Sequence, residues 1–127
     1  MDHSYYFDGN KKMISWIIEN NETRTEQKRT HVENYYDQVS IEQSKYIALH
    51  VGIFWGVGMY IIKNGDTVKV MVDLNTMVEN LMKNKKSSDP FIMSRTGFIT
   101  QLIDQRGLNV QYILIEPEDN PASRLIA

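Results

Sequence analysis

Two short apolar stretches of this chain each run into an aspartate: Ser4-Tyr5-Tyr6-Phe7-Asp8-Gly9, and later Val68-Lys69-Val70-Met71-Val72-Asp73-Leu74. Read as strands, they can hold two carboxylates side by side at one end of a buried sheet. A carboxylate in such a place loses several kcal/mol of hydration unless it is hydrogen-bonded, paired or bound to a cation. Two of them together require a counter-charge. Whether a divalent metal or a lysine of the chain supplies it is the question that decides function.

The remaining composition narrows the setting. A length of 127 residues suits one core, so residues 1–127 are read as a single domain. The 42% hydrophobic and 24% charged content is that of a folded globular chain, away from the low-hydrophobicity pattern of disorder. With no cysteine, disulfides and thiolate metal sites are excluded. The start Met1-Asp2-His3-Ser4 has no basic, apolar leader pattern, and no apolar run is long enough to span a bilayer. A cytoplasmic protein with no membrane partner is expected. A net charge of -2 gives no global attraction to nucleic acid, so phosphate binding would have to come from local clusters such as Lys83-Asn84-Lys85-Lys86.

The order of elements follows from periodicity and turn chemistry. Gly9-Asn10 is a turn, after which Met13 to Ile18 pairs back on the first strand, and Lys28 to Tyr36 reads as a third, more exposed strand. Ile41 to about Met59 is a very apolar helix capped by Ser40. Its stripe of Ile41, Lys45, Ala48, Gly52 and Gly56 turns small residues and one lysine toward a sheet. Asn64-Gly65 is a hairpin signal, but the preferred reading stops the helix near Lys63-Asn64-Gly65 and starts a central strand at Thr67. A short helix from Leu74 to Met82 follows Asp73. Asp89-Pro90 opens a third helix that ends at Gly107, Asn109 to Glu116 is a last strand, and Asn120 to Ala127 a terminal helix. This order implies an α/β fold of about five strands, three antiparallel and then parallel, with helices on both faces.

The residues now suggest a family. Tyr6-Phe7-Asp8-Gly9-Asn10 resembles the first-strand aspartate motif of ribonuclease H, usually a strand ending in Asp-Gly-Ser. Val72-Asp73-Leu74-Asn75 with Val78-Glu79-Asn80-Leu81 looks like that family's central strand, its aspartate and the following helix. Ile115-Glu116-Pro117-Glu118-Asp119-Asn120-Pro121-Ala122-Ser123-Arg124-Leu125 is similar to its last strand and final-helix start. The resemblance covers nearly the whole chain in element order. It implies a ribonuclease H-like mixed sheet, and four carboxylates holding two magnesium ions that cut the RNA strand of an RNA-DNA hybrid.

Only two of those four positions carry acids here. Asp8 and Asp73 match, while the glutamate of the long helix aligns with Lys45 in Ser44-Lys45-Tyr46-Ile47-Ala48-Leu49, and the final aspartate aligns with Ser123. The glycine-rich loop that grips substrate is reduced to Gly9 to Lys12. Replacing glutamate by lysine turns a ligand into a like charge facing the metal. The preferred expectation is that the Lys45 ammonium takes the cation's place, with no cofactor bound and hydrolysis lost. The inherited substrate face, rimmed by Lys11, Lys12, Lys83, Lys85 and Lys86, would then serve as a nucleic-acid-binding or assembly module. A second reading is a magnesium-dependent ribonuclease acting on RNA-DNA hybrids, with Asp8 and Asp73 as metal ligands and Glu42 and Asp119 as substitutes one turn away. A third is a protein-binding scaffold without nucleic-acid affinity.

Weaker candidates fall away on spacing. His3, His31 and His50 show no zinc pattern, and no glycine-flanked serine elbow is present. Tyr5, Tyr6, Tyr35 and Tyr36 could stack on bases but read more simply as cross-strand packing, and His50 and Trp55 as residues of the helix core or edge.

Overall fold

The computed structural model describes residues 1–127. The strands are β1 (Asp2–Gly9), β2 (Met13–Glu19), β3 (Arg24–Thr30), β4 (Thr67–Val72) and β5 (Asn109–Leu114). The helices are α1 (Ile41–Gly58), α2 (Asn75–Leu81) and α3 (Pro90–Arg106), and the chain closes with two 3-10 segments, Pro117–Asp119 and Pro121–Ile126. One sheet runs in the order β3-β2-β1-β4-β5, with β1, β2 and β3 antiparallel and β4 and β5 parallel to β1. This is a mixed five-stranded α/β fold, and no helix is long and apolar enough to cross a membrane.

The alternation of β1 decides which residues go where. His3, Tyr5, Phe7 and Gly9 are buried beneath α1, while Ser4, Tyr6 and Asp8 turn to the other face. Close approach of α1 depends on absent side chains. A Cβ on Gly52 would run into the Tyr5 hydroxyl and come 2.8 Å from the Trp16 ring. One on Gly9 would come 2.6 Å from the Ser44 carbonyl carbon. Gly9 therefore seats the first turn of α1 directly on the end of β1, and this contact carries Lys45, the next residue, to the strand terminus. The first turn is itself fixed by Ser40 and Gln43, whose side chains each bond the other's backbone, and Gln43 Nε2 donates to the α3 cap Asp89 at 2.9 Å.

Three local expectations are corrected. The third strand is Arg24–Thr30, not Lys28 to Tyr36; Tyr35 and Tyr36 lie in a turn over residues 33–38. Strand β3 is a polar edge with no buried residue, so it has no hydrophobic alternation to betray it. The terminal segment is a 3-10 turn, and α1 stops at Gly58, well before Gly65. At that end Ile61 N–H donates to Gly56 O at 3.0 Å and Tyr60 N–H to Val57 O at 3.1 Å, the paired closure that ends many helices. The residue it forces into the left-handed region is Tyr60, φ 61°, where glycine is the usual choice. Gly65, φ 85°, serves the next turn, into β4.

At the opposite edge from the strand-end aspartates, Asp66 accepts from the Lys63 amide at 2.9 Å and from the fully buried His3 Nε2 at 2.8 Å, with the Met1 amine 3.2 Å away. Burial raises the Asp66 pKa, but these donors outweigh it and hold the carboxyl at about 2. A depressed folded pKa contributes stability above the ordinary carboxyl range that is lost as pH falls toward 2.

Two outcomes follow from this framework. Tyr60→Gly relieves a left-handed non-glycine residue at the expense of chain entropy, and is expected to stabilise the fold by about 0.5–1 kcal/mol in urea melts. Asp66→Asn is expected to destabilise the protein at neutral pH, with the difference from the parent shrinking below pH 4 as the parent's carboxyl titrates.

Candidate functional site

The register of the parallel pair sets the site. Tyr6 lies opposite Met71, and the same offset carried two residues further puts Asp8 beside Asp73 at the C-terminal edge of the sheet. Lys45 reaches them from the first turns of α1. Its Nζ donates to Asp8 Oδ1 at 2.6 Å and to Asp73 Oδ1 at 2.8 Å. The second oxygen of each carboxylate is also occupied. Ser123 Oγ donates to Asp8 Oδ2 at 2.7 Å, and Asn120 Nδ2 donates to Asp73 Oδ2 at 2.9 Å. The Gly9 amide adds a further bond to Asp8 Oδ1 at 2.8 Å.

This is a closed network in a largely dry place. The side chains of Asp73, Lys45 and Asp8 are 5%, 12% and 15% exposed. Burial works against the ammonium of Lys45, yet the hydrogen bonds and attraction of Asp73 and Asp8 outweigh it and raise its pKa above the ordinary lysine value. Charge-assisted bonds of this length are the strong kind, and every carboxylate oxygen has at least one donor.

Asn120 is the member that sequence reasoning passed over. It is 2% exposed, donates also to the Phe7 carbonyl at 2.9 Å, and accepts from Ala122 N–H through Oδ1. One amide thus ties the C-terminal segment to β1 and β4 together. An asparagine ahead of Pro121 was the available signal, since such residues cap turns.

The other expected residues are placed elsewhere. Glu42 points toward α2, where its carboxylate accepts from Thr76 Oγ1 at 3.2 Å, and Asp119 is exposed on the first 3-10 turn. No group of three or more histidine, cysteine, aspartate or glutamate side chains is arranged to hold a metal ion. A magnesium ion takes six oxygens at about 2.0–2.1 Å. Here the space between Asp8 and Asp73 is taken by a cationic nitrogen, and the other side chains that reach the two carboxylates are a hydroxyl, Ser123, and an amide, Asn120. The donor set does not fit a divalent pair.

Lys11 and Lys12 are exposed on the turn joining β1 to β2, immediately beyond the site. Lys83, Lys85 and Lys86 are exposed on the loop after α2, where Lys85 and Lys86 line a polar cleft of about 240 Å³ with Glu42, Thr76 and Glu79. None of the five lysines is in an ion pair, so their charges are offered to solvent on two sides of the same edge. His31 stabilises that edge from beneath: its Nε2 lies 2.7 Å from Ser44 Oγ and 3.1 Å from the Asn10 carbonyl, and burial lowers its pKa. His50 is half-buried between α1 and α3, facing Arg95 at 3.1 Å.

No family model matches the sequence, and no curated protein does. Solved structures do. RNase H1 of the halophilic archaeon Halobacterium salinarum superposes with a TM-score of 0.82 at 14% identity, over 98% of this chain and 94% of that one. The N-terminal RNase H domain of a Mycobacterium tuberculosis protein gives 0.79 at 16% identity, over 98% and 89%. An RNase H1 isolated from compost by a metagenomic approach, solved in complex with an RNA/DNA hybrid, gives 0.69 at 16% identity, over 98% and 91%. The superpositions cover nearly the whole of this chain, and the chain has the ribonuclease H-like fold.

Proposed function

We propose that this chain is a ribonuclease H-like module without hydrolytic activity, which binds nucleic acid or helps assemble a nucleic-acid complex. The observation that carries this reading is the Lys45 ammonium held between Asp8 and Asp73 at 2.6 and 2.8 Å. An internal cation there bridges the pair that an external one would have to bridge, and a divalent ion could enter only by displacing a buried lysine. The lysine keeps the strand ends and the helix together instead.

The binding half of the proposal rests on the exposed lysines. A complex of one of the similar structures holds an RNA/DNA hybrid. On this chain Lys11, Lys12, Lys83, Lys85 and Lys86 are exposed cations in no ion pair, suited to phosphates rather than to bases. Affinity of this origin is expected to fall steeply with salt and to show little sequence preference.

Three measurements test these statements. Purified protein is expected to leave RNA-DNA hybrid intact in millimolar magnesium or manganese; turnover that disappears with chelator and with Asp73→Asn overturns the non-catalytic reading. Fluorescence anisotropy is expected to detect hybrid binding that weakens with salt and falls about tenfold or more when Lys83, Lys85 and Lys86 are changed together to glutamate. Salt-independent affinity, or none, removes the nucleic-acid role. Lys45→Met leaves two buried carboxylates without a counter-charge and is expected to cost about 3 kcal/mol at neutral pH. Because the folded Lys45 pKa is raised, that contribution is complete below the ordinary lysine range and disappears only as pH climbs through the higher folded value. Millimolar magnesium should restore part of the melting temperature of Lys45→Met while leaving the parent unmoved.

A further inference from the structure

At the far end of α1 a different feature has no part in the lysine-carboxylate site. Tyr60 occupies the left-handed position that closes the helix, φ 61°, and the residue is 82% exposed, the most of the large apolar residues. Folding favours glycine at such a place, and an exposed ring gains nothing from burial. A tyrosine kept there against both preferences points to a role outside the fold.

Its surroundings are concave. One cleft, of about 170 Å³, is lined by Phe54, Val57, Gly58, Tyr60 and Arg106; a second, of about 350 Å³, shares Val57, Tyr60 and Arg106 with it and adds Ile62, Lys63 and Asn64. They form one groove across the C-terminal ends of α1 and α3. Its walls are fixed, because the Gly65 amide donates to the Arg106 carbonyl at 3.0 Å and so ties the turn after α1 to the last residue of α3. Its floor is open at Gly58, where an added Cβ would meet nothing within 4 Å. Phe54, on the outer wall, is 62% exposed.

The charge of the groove is one-sided. Lys63 and Arg106 are its only ionised lining residues and neither is in an ion pair, although the chain as a whole carries a net charge of -2. Lys63 also borders an adjoining cleft that Glu22 and Asp66 line, but Asp66 is already engaged by His3 and the Met1 amine. We infer that this groove docks a short acidic peptide segment of a partner protein, an aromatic or aliphatic side chain packing beside Tyr60 and Phe54 and a carboxylate meeting Arg106 or Lys63. Four apolar side chains against two cations suit a peptide better than a nucleic-acid backbone, which needs a row of cations. From Lys45 to Val57 the helix rises roughly 18 Å, so the groove and the carboxylate site can be occupied independently.

A random peptide library displayed on phage and selected on the intact protein tests the inference. Selected sequences are expected to be rich in acidic residues flanking an aromatic or aliphatic one, and to bind by anisotropy with a salt-sensitive affinity. Tyr60→Gly should raise the melting temperature while weakening those peptides about tenfold or more, opposite signs that loss of folding cannot produce. Arg106→Glu should weaken them similarly, and Gly58→Glu should block the groove without a change in melting temperature. Selected peptides with no acidic bias, or indifferent to Tyr60→Gly and Arg106→Glu, overturn the inference. So does an oligonucleotide that displaces them, or sedimentation showing that a second copy of the chain fills the groove at micromolar concentration. Nuclease and hybrid-binding results bear on the other end of α1 and leave this outcome untouched.

Discussion

The Lys45 ammonium, donating to Asp8 at 2.6 Å and to Asp73 at 2.8 Å, is the interaction on which the working edge of this molecule depends. Two adjacent parallel strands deliver acids to the same level, and the fold tolerates that only because a cation is built into the helix above them. The geometry that allows it is set one residue earlier, where the bare backbone of Gly9 lets Ser44 lie against the end of β1. Around this ion pair the Ser123 hydroxyl, the Asn120 amide and the Gly9 N–H bring the count to at least one donor for each of the four carboxylate oxygens. The C-terminal segment is held to the sheet partly through those same bonds, so electrostatic closure of the site and anchoring of the chain's end are one structural fact.

The two ends of α1 are governed by opposite logic. At its start the helix is tied down by the reciprocal bonds of Ser40 and Gln43 and by the link from Gln43 to Asp89. At its finish an exposed tyrosine is held in a backbone conformation that suits glycine, beside two cations that are in no ion pair. The domain thus has one face whose acids are bridged from within and, at the other end of α1, a face whose cations are left to solvent.

Much of this was legible in the residues because the decisive features are local. The apolar runs ending in Asp8 and Asp73, the small residues of α1 and the place of Lys45 on the same stripe follow from periods of two and of three to four. The order of elements and the mixed sheet followed as well, down to Gly107 closing α3 in the left-handed conformation. What escaped has physical reasons. Strand β3 is an edge of alternating polar residues whose only partner is β2, so its position is fixed by pairing rather than by burial. The end of α1 was sought at a glycine, whereas the chain turns at Tyr60 because Ile62 must return to the core. The role of Asn120 depends on contacts with Phe7 and Asp73, distant in sequence, which no local pattern encodes.

The central claim is that a protein ammonium, and not a metal ion, balances the two strand-end acids. Nitrogen-15 NMR of the lysine ammonium groups addresses it most directly. A Lys45 signal that exchanges slowly with water, titrates above the other lysines and is unmoved by millimolar magnesium is the result expected from a buried, doubly hydrogen-bonded donor. A Lys45 signal that titrates with the solvent-exposed lysines, or that is displaced when magnesium is added, would contradict it.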